Sequence, residues 1–153
     1  MSVALGGVRA PPWLGAFRLY CRSAMRAIGA EGWELSVLLC DDATIRGLNA
    51  RYRGIDRATD VLSFSQREGG AAAGSASAAG DLVISLETAR RNAGRLGVGE
   101  GEELRRLAVH GMLHLAGMDH GRGRGGAMLE LQERLLAGLA GGRGDRRHPR
   151  RRT

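Results

Sequence analysis

Three of the four histidines in this chain fall in one short run, His110-Gly-Met-Leu-His114-Leu-Ala-Gly-Met-Asp-His120. On a helix, positions i and i+4 share a face about 5–6 Å apart between Cβ atoms. His110 and His114 can therefore aim two imidazoles at one ion, at the roughly 2.0–2.1 Å of a zinc–nitrogen bond. Gly117 breaks such a helix three residues after His114, and the chain can then turn His120 back onto the same ion. Three neutral nitrogen ligands leave a fourth position for water, the arrangement of a catalytic rather than a structural zinc. A lone histidine would read as an ordinary core or surface residue. Three at this spacing, in a helical context, read as ligands.

The same spacing fits the metzincin peptidase series H-E-x-x-H-x-x-G-x-x-H, with Gly117 at the glycine. Gly111 stands where those peptidases carry the glutamate that acts as general base, which weakens the peptidase reading. Asp119 is the nearest carboxylate, and either proton transfer or orientation of a ligand imidazole would suit it. Nickel or iron would also accept three histidines.

These residues need a frame. Glu100–Leu115 reads as the helix that carries His110 and His114, with Glu100, Glu102 and Glu103 at the end where the helix dipole favours acids. Apolar spacing predicts an amphipathic helix over Trp13–Gly29, behind Pro11 and Pro12. Alternation over Trp33–Leu39 predicts a strand, followed by a short helix capped by Asp41 or Asp42 and running through Asn49. Thr59–Ser65 and Asp81–Leu86 read as two further strands. They form a hairpin whose enlarged tip, Gly69–Gly80, is almost wholly Gly, Ala and Ser and is expected to be a mobile loop. Ser85 or Thr88 opens a helix through Leu96, ended by Gly97 and Gly99. After a glycine-rich turn, Gly121–Gly126, a last helix is expected over Met128–Leu139. Gly121, Gly123 and Gly126 match GxGxxG, but they follow no strand and read as a turn rather than a nucleotide cradle. The fold expected is α+β with α/β-type layers: a small mixed sheet packed with helices, the zinc lying on a helix–turn at one end.

The chain has 153 residues and a net charge of +7, with every basic residue an arginine. Residues 1–141 are expected to form one catalytic domain and 142–153 a basic, solvated tail. That tail carries +5 of the charge and attracts phosphate without sequence preference. No apolar stretch is long enough to span a membrane, and the start of the chain lacks the pattern of a secretory signal, so the expected compartment is the cytoplasm. Cys21 and Cys40 stand in no CxxC pairing and read as small buried hydrophobes. Aromatic residues make up only 4% of the chain, so no stacking platform for nucleobases is evident.

The run HGMLHLAGMDH resembles the signature of the YbeY family, H-G-x-L-H-L-x-G-[aromatic]-D-H, with Met118 where the family usually has Tyr. Leu48-Asn49-Ala50-Arg51-Tyr52-Arg53-Gly54, Thr59-Asp60-Val61-Leu62-Ser63-Phe64 and Gly80-Asp81-Leu82-Val83-Ile84-Ser85 resemble three more family segments in the expected order. Ser65 replaces a family proline. The resemblance spans about Trp33–Leu139. It implies a zinc-dependent, single-strand-specific endoribonuclease of ribosomal RNA maturation and ribosome quality control, with ribosomal RNA and ribosomal particles as partners. It also maps the family's arginine onto Arg53, whose guanidinium can fork onto two phosphate oxygens. Catalysis is then expected to depend on Arg53 and His114, with one Zn²⁺ on His110, His114 and His120. A metal-stabilised assembly factor that binds ribosomes without cutting RNA would share all of these residues.

Overall fold

A computed structural model describes residues 1–65, 79–117 and 125–141. Among them the order is β1 (Ser2–Gly6), α1 (Leu14–Ala27), β2 (Glu34–Cys40), α2 (Asp42–Arg53), β3 (Val61–Ser65), β4 (Ala79–Ser85), α3 (Leu86–Leu96), α4 (Glu100–Leu115) and α5 (Gly125–Gly141). The strands form one sheet in the order β1-β2-β4-β3. β1 and β4 run parallel to β2, and β3 runs antiparallel to β4. The sheet is mixed and covered by helices, the expected α+β architecture.

Alternation along the strands divides the core in two. Leu35, Val37 and Leu39 of β2 and Leu82 and Ile84 of β4 point to one face, where α1, α3 and α4 pack on them through Phe17, Ala89, Leu104, Ala108 and Met112. Cys40 and Val83 point to the other, where Leu62 of β3 and Ile45 of α2 complete a smaller core. Among the described residues β3 pairs with β4 alone, so it is an edge strand with α2 on one side of the sheet and α4 on the other.

The caps settle two choices that the sequence left open. Asp41, not Asp42, caps α2, its Oδ1 accepting from Thr44 N at 2.9 Å. Ser85 rather than Thr88 caps α3, its Oγ accepting from Thr88 N at 3.2 Å. Asp42 instead ties the two helix starts together. It accepts from Ser85 Oγ and Thr88 Oγ1 at 2.6 Å each and from Arg91 Nη2 at 2.7 Å. Burial alone would raise the Asp42 carboxyl, but those hydrogen bonds outweigh it and hold its pKa below the ordinary value.

Four expectations are corrected. α2 does not stop at Asn49 but runs on to Arg53, where Gly54 takes a left-handed φ of 71° and closes it. Ala79 and Gly80, expected in the glycine-rich loop, belong to β4, because Gly80 pairs with Leu35 of β2 and lies under the Leu115 side chain. The remainder of that loop, 69–78, lies outside the described residues, as does the tail, 142–153. α5 begins at Gly125 rather than Met128. β1 was not expected at all.

Candidate active site

His110 and His114 sit two-thirds along α4 and at its last turn, and α4 covers the full span expected for it. Their Nε2 atoms lie 3.1 Å apart, with the rings 4.6 Å between centroids and inclined at 73°. Two nitrogens bound tetrahedrally at 2.0–2.1 Å would be about 3.3 Å apart, so the pair already holds nearly the spacing that one shared ion imposes. The Nδ1 of His110 lies 3.0 Å from Oε1 of Gln132, which α5 buries against α4. An amide oxygen only accepts, so Nδ1 carries the hydrogen and the Nε2 lone pair faces His114. The side chains present thus fit a divalent metal. Among the described residues no third histidine, cysteine, aspartate or glutamate joins them. Met118, Asp119 and His120 lie outside the described residues.

The chain leaves α4 as the sequence expects. Gly117 follows the helix at φ 84°, donates to His114 O at 3.0 Å, and lines the same cleft as the two histidines. This cleft, about 920 Å³, runs along the edge strand β3 and is walled by α4 on one side and the end of α2 on the other. Arg53, the last residue of α2, lines it too. Its Nη2 donates to Ser63 O of β3 at 2.6 Å, and its guanidinium carbon lies 5.4 Å from the centre of the Phe64 ring. A guanidinium has five N–H donors, and this bond uses one. The structure therefore brings three of the four sequence-predicted site residues, Arg53, His110 and His114, into one cleft.

Gly111 explains why no general-base glutamate follows His110. A Cβ there would lie 2.6 Å from Leu82 Cδ2 and 3.2 Å from Ser63 Oγ. The position faces the sheet, and Ser63 Oγ, 3.4 Å from Gly111 O, bridges strand and helix. A glutamate has neither the room nor the direction to act on a metal held by the imidazoles. The two cysteines stand apart from the cleft, fully buried. Burial pushes the Cys21 thiol up to about 12, and burial with neighbouring carboxylates pushes Cys40 up to about 11, so neither supplies a thiolate.

Two contributors to the site were missed from the sequence. Gln132 is a polar residue within the apolar stripe of α5, between Leu131 and the pair Leu135 and Leu136 that packs on the core. That interruption was the available signal. Tyr52 was noted only as part of a motif, yet it stands more than half exposed at the cleft, its ring 5.5 Å from that of Phe64.

An arginine and a convergent imidazole pair share one cleft, carried by a mixed sheet with helices on both faces, a combination suited to a hydrolase of phosphate esters. The solution structure of TM1509 from Thermotoga maritima shares the fold, with a TM-score of 0.64 over 93% of this chain and 91% of that one, at 24% identity. The family model described as endoribonuclease YbeY matches residues 16–140. Relatives named endoribonuclease YbeY include one from Treponema pallidum (strain Nichols), 43% identical over 141 residues, or 90% of this chain and 88% of the relative. Another, from Pelotomaculum thermopropionicum, is 48% identical over 108 residues, covering 67% of this chain and 71% of its own length. The chain belongs to the YbeY family of endoribonucleases.

Proposed function

We propose that this protein is a zinc-dependent endoribonuclease that cuts single-stranded RNA, with ribosomal RNA in ribosomal particles as its substrate and the cytoplasm as its place of work. The observation that carries the reading is the pair of Nε2 atoms held 3.1 Å apart in the same cleft as Arg53. His110, His114 and His120 are the ligands in this proposal. His120 follows three residues after Gly117, a span of at most about 11 Å of chain. When bound, zinc lowers the pKa of a coordinated water toward about 7 and so supplies a nucleophile at neutral pH.

The chain's own residues do the rest. Gln132 fixes the tautomer of His110 by accepting its Nδ1 proton, so that the imidazole presents a lone pair without reorganising. Ser63 O and the Phe64 ring hold Arg53 at the edge of the sheet. There its guanidinium meets the scissile phosphate and stabilises the negative charge that grows on the non-bridging oxygens as water oxygen joins phosphorus and the ester P–O bond breaks. Residues 1–141 form the catalytic unit. The six arginines in 142–153 raise the local concentration of RNA without selecting sequence.

The test is incubation of zinc-loaded protein and its His114→Ala variant with ribosomal RNA. The reading requires cleavage by the parent and none by the variant. Binding of ribosomal particles with no cleavage by either protein would establish the assembly-factor reading in its place.

A further inference from the structure

Tyr52 stands largely exposed on the wall of the cleft. Among the described residues five large apolar side chains are exposed, and two of them, Tyr52 at 57% and Ile55 at 45%, line the cleft that holds the imidazoles and Arg53. Scattered exposed apolar residues need no explanation, but an exposed aromatic and a second exposed apolar side chain on the walls of one functional cleft do. The surroundings are specific. The Arg51 guanidinium carbon lies 5.2 Å from the centre of the Tyr52 ring, the Tyr52 ring 5.5 Å from that of Phe64, and the Arg53 guanidinium carbon 5.4 Å from the centre of the Phe64 ring. Cation, ring, ring and cation follow one another, and Tyr52, Phe64 and Arg53 of that series line the cleft. Arg57 lines the same cleft.

We infer that the Tyr52 ring is a nucleobase subsite, on which one unpaired base of the RNA stacks while a neighbouring phosphate lies on Arg53. The inference rests on the proposed function and deepens it, since it names what makes the cleft take single strands. Grooves for single-stranded nucleic acid combine cations that track the backbone with aromatic faces on which bases stack, and such stacking tolerates every sequence because every base has a π-face. A base inside a duplex already has both faces covered by its neighbours and cannot use the ring. The low aromatic content of the chain concealed this arrangement: only the fold brings Tyr52 at the end of α2 next to Phe64 of β3.

The experiment is equilibrium binding of a fluorescent single-stranded RNA 12-mer, and of the same sequence as a duplex, to metal-stripped full-length protein, so that binding is read without cleavage. Tyr52→Ala should weaken single-strand binding about tenfold, a typical effect of losing one base–aromatic stack. Duplex binding and the salt dependence of single-strand binding should stay as in the parent, because the lost contact is not ionic. Tyr52→Phe should bind like the parent. Tyr52→Trp should also bind, and its fluorescence should be quenched by the single strand and not by the duplex. Thermal melts should show Tyr52→Ala folded, as expected for a ring more than half exposed. Parental single-strand affinity in Tyr52→Ala would overturn the inference and leave the proposed function standing. Equal loss for single strand and duplex, with a shallower salt slope, would overturn it as well, because the residue would then act on the backbone. If the parent itself binds neither RNA, both the inference and the proposed function fall.

Discussion

Replacing Gly111 with alanine adds one carbon to the interior of α4, and the structure says where it goes: 2.6 Å from Leu82 Cδ2 and 3.2 Å from Ser63 Oγ. Leu82 is fully buried in β4, within the core that α4 covers. Overpacking of this kind costs about 1–3 kcal/mol, and a 2.6 Å approach to a fully buried side chain belongs in the upper part of that range. Alanine in a helix interior returns about 1 kcal/mol over glycine, so Gly111→Ala should be destabilised by about 1–2 kcal/mol. Gly94, inside α3, is the control. A Cβ there meets nothing within 4 Å, so Gly94→Ala should gain up to about 1 kcal/mol from the same propensity term. The two substitutions are chemically identical and should move stability in opposite directions, with a gap of about 2–3 kcal/mol. At roughly 2–4 °C per kcal/mol for a chain of this size, their melting temperatures should differ by about 4–12 °C. The comparison is made on metal-stripped protein by thermal and urea unfolding, so that metal occupancy contributes nothing. If Gly111→Ala proves as stable as Gly94→Ala, the close approach of α4 to the sheet is wrong, and with it the reason given for the missing glutamate.

Three further outcomes are expected. Arg53→Ala should lower the single-turnover rate of RNA cleavage by about 10²–10³-fold, the loss seen when one donor to a developing negative charge is removed, while zinc content stays near the parent's. Arg53→Lys should recover little of it, since an ammonium cannot form the fork; parental cleavage in either variant contradicts the role. Gln132→Ala should weaken zinc affinity about 10–100-fold in a competition titration, and Gln132→Glu, which also accepts from Nδ1, should not; equal affinities would show that the contact with His110 is idle. Asp42→Asn should cost about 1–2 kcal/mol at neutral pH by removing the charge from three hydrogen bonds. Because the folded-state pKa of Asp42 is lowered, its stabilisation is complete above the unfolded value of about 3.9 and is lost as pH falls through the folded value. The gap between parent and variant should therefore hold from pH 7 to about pH 5 and close below about pH 4. A gap that widens in acid would reverse the assignment.

The element that carries the histidines was the most legible part of the sequence. α4 has acids in its first turn, a continuous apolar face and Gly117 just beyond its end, and every signal agrees. β1 gave no comparable signal. It is a five-residue edge strand whose side chains are mostly exposed or half-buried, and only its pairing with β2 distinguishes it from coil. Gly80 looked like loop because it sits among Gly, Ala and Ser, but in β4 it is the space that Leu115 fills. Gly111 was legible only as an absence, the glutamate a peptidase would need; its reason is a contact between α4 and β4 that no local pattern encodes. The pairing of Arg53 with the histidines came from motif resemblance. Its physical basis, α2 and α4 meeting across the β3 edge, required the fold.

In the proposed function, RNA cleavage depends on a metal held by the imidazoles of this cleft. The most direct measurement is single-turnover cleavage of a single-stranded RNA by metal-stripped full-length protein titrated with zinc. Without metal there should be no cleavage above background, and the rate should rise to saturation near one zinc per chain. Cleavage by the stripped protein as fast as by the loaded one would contradict it.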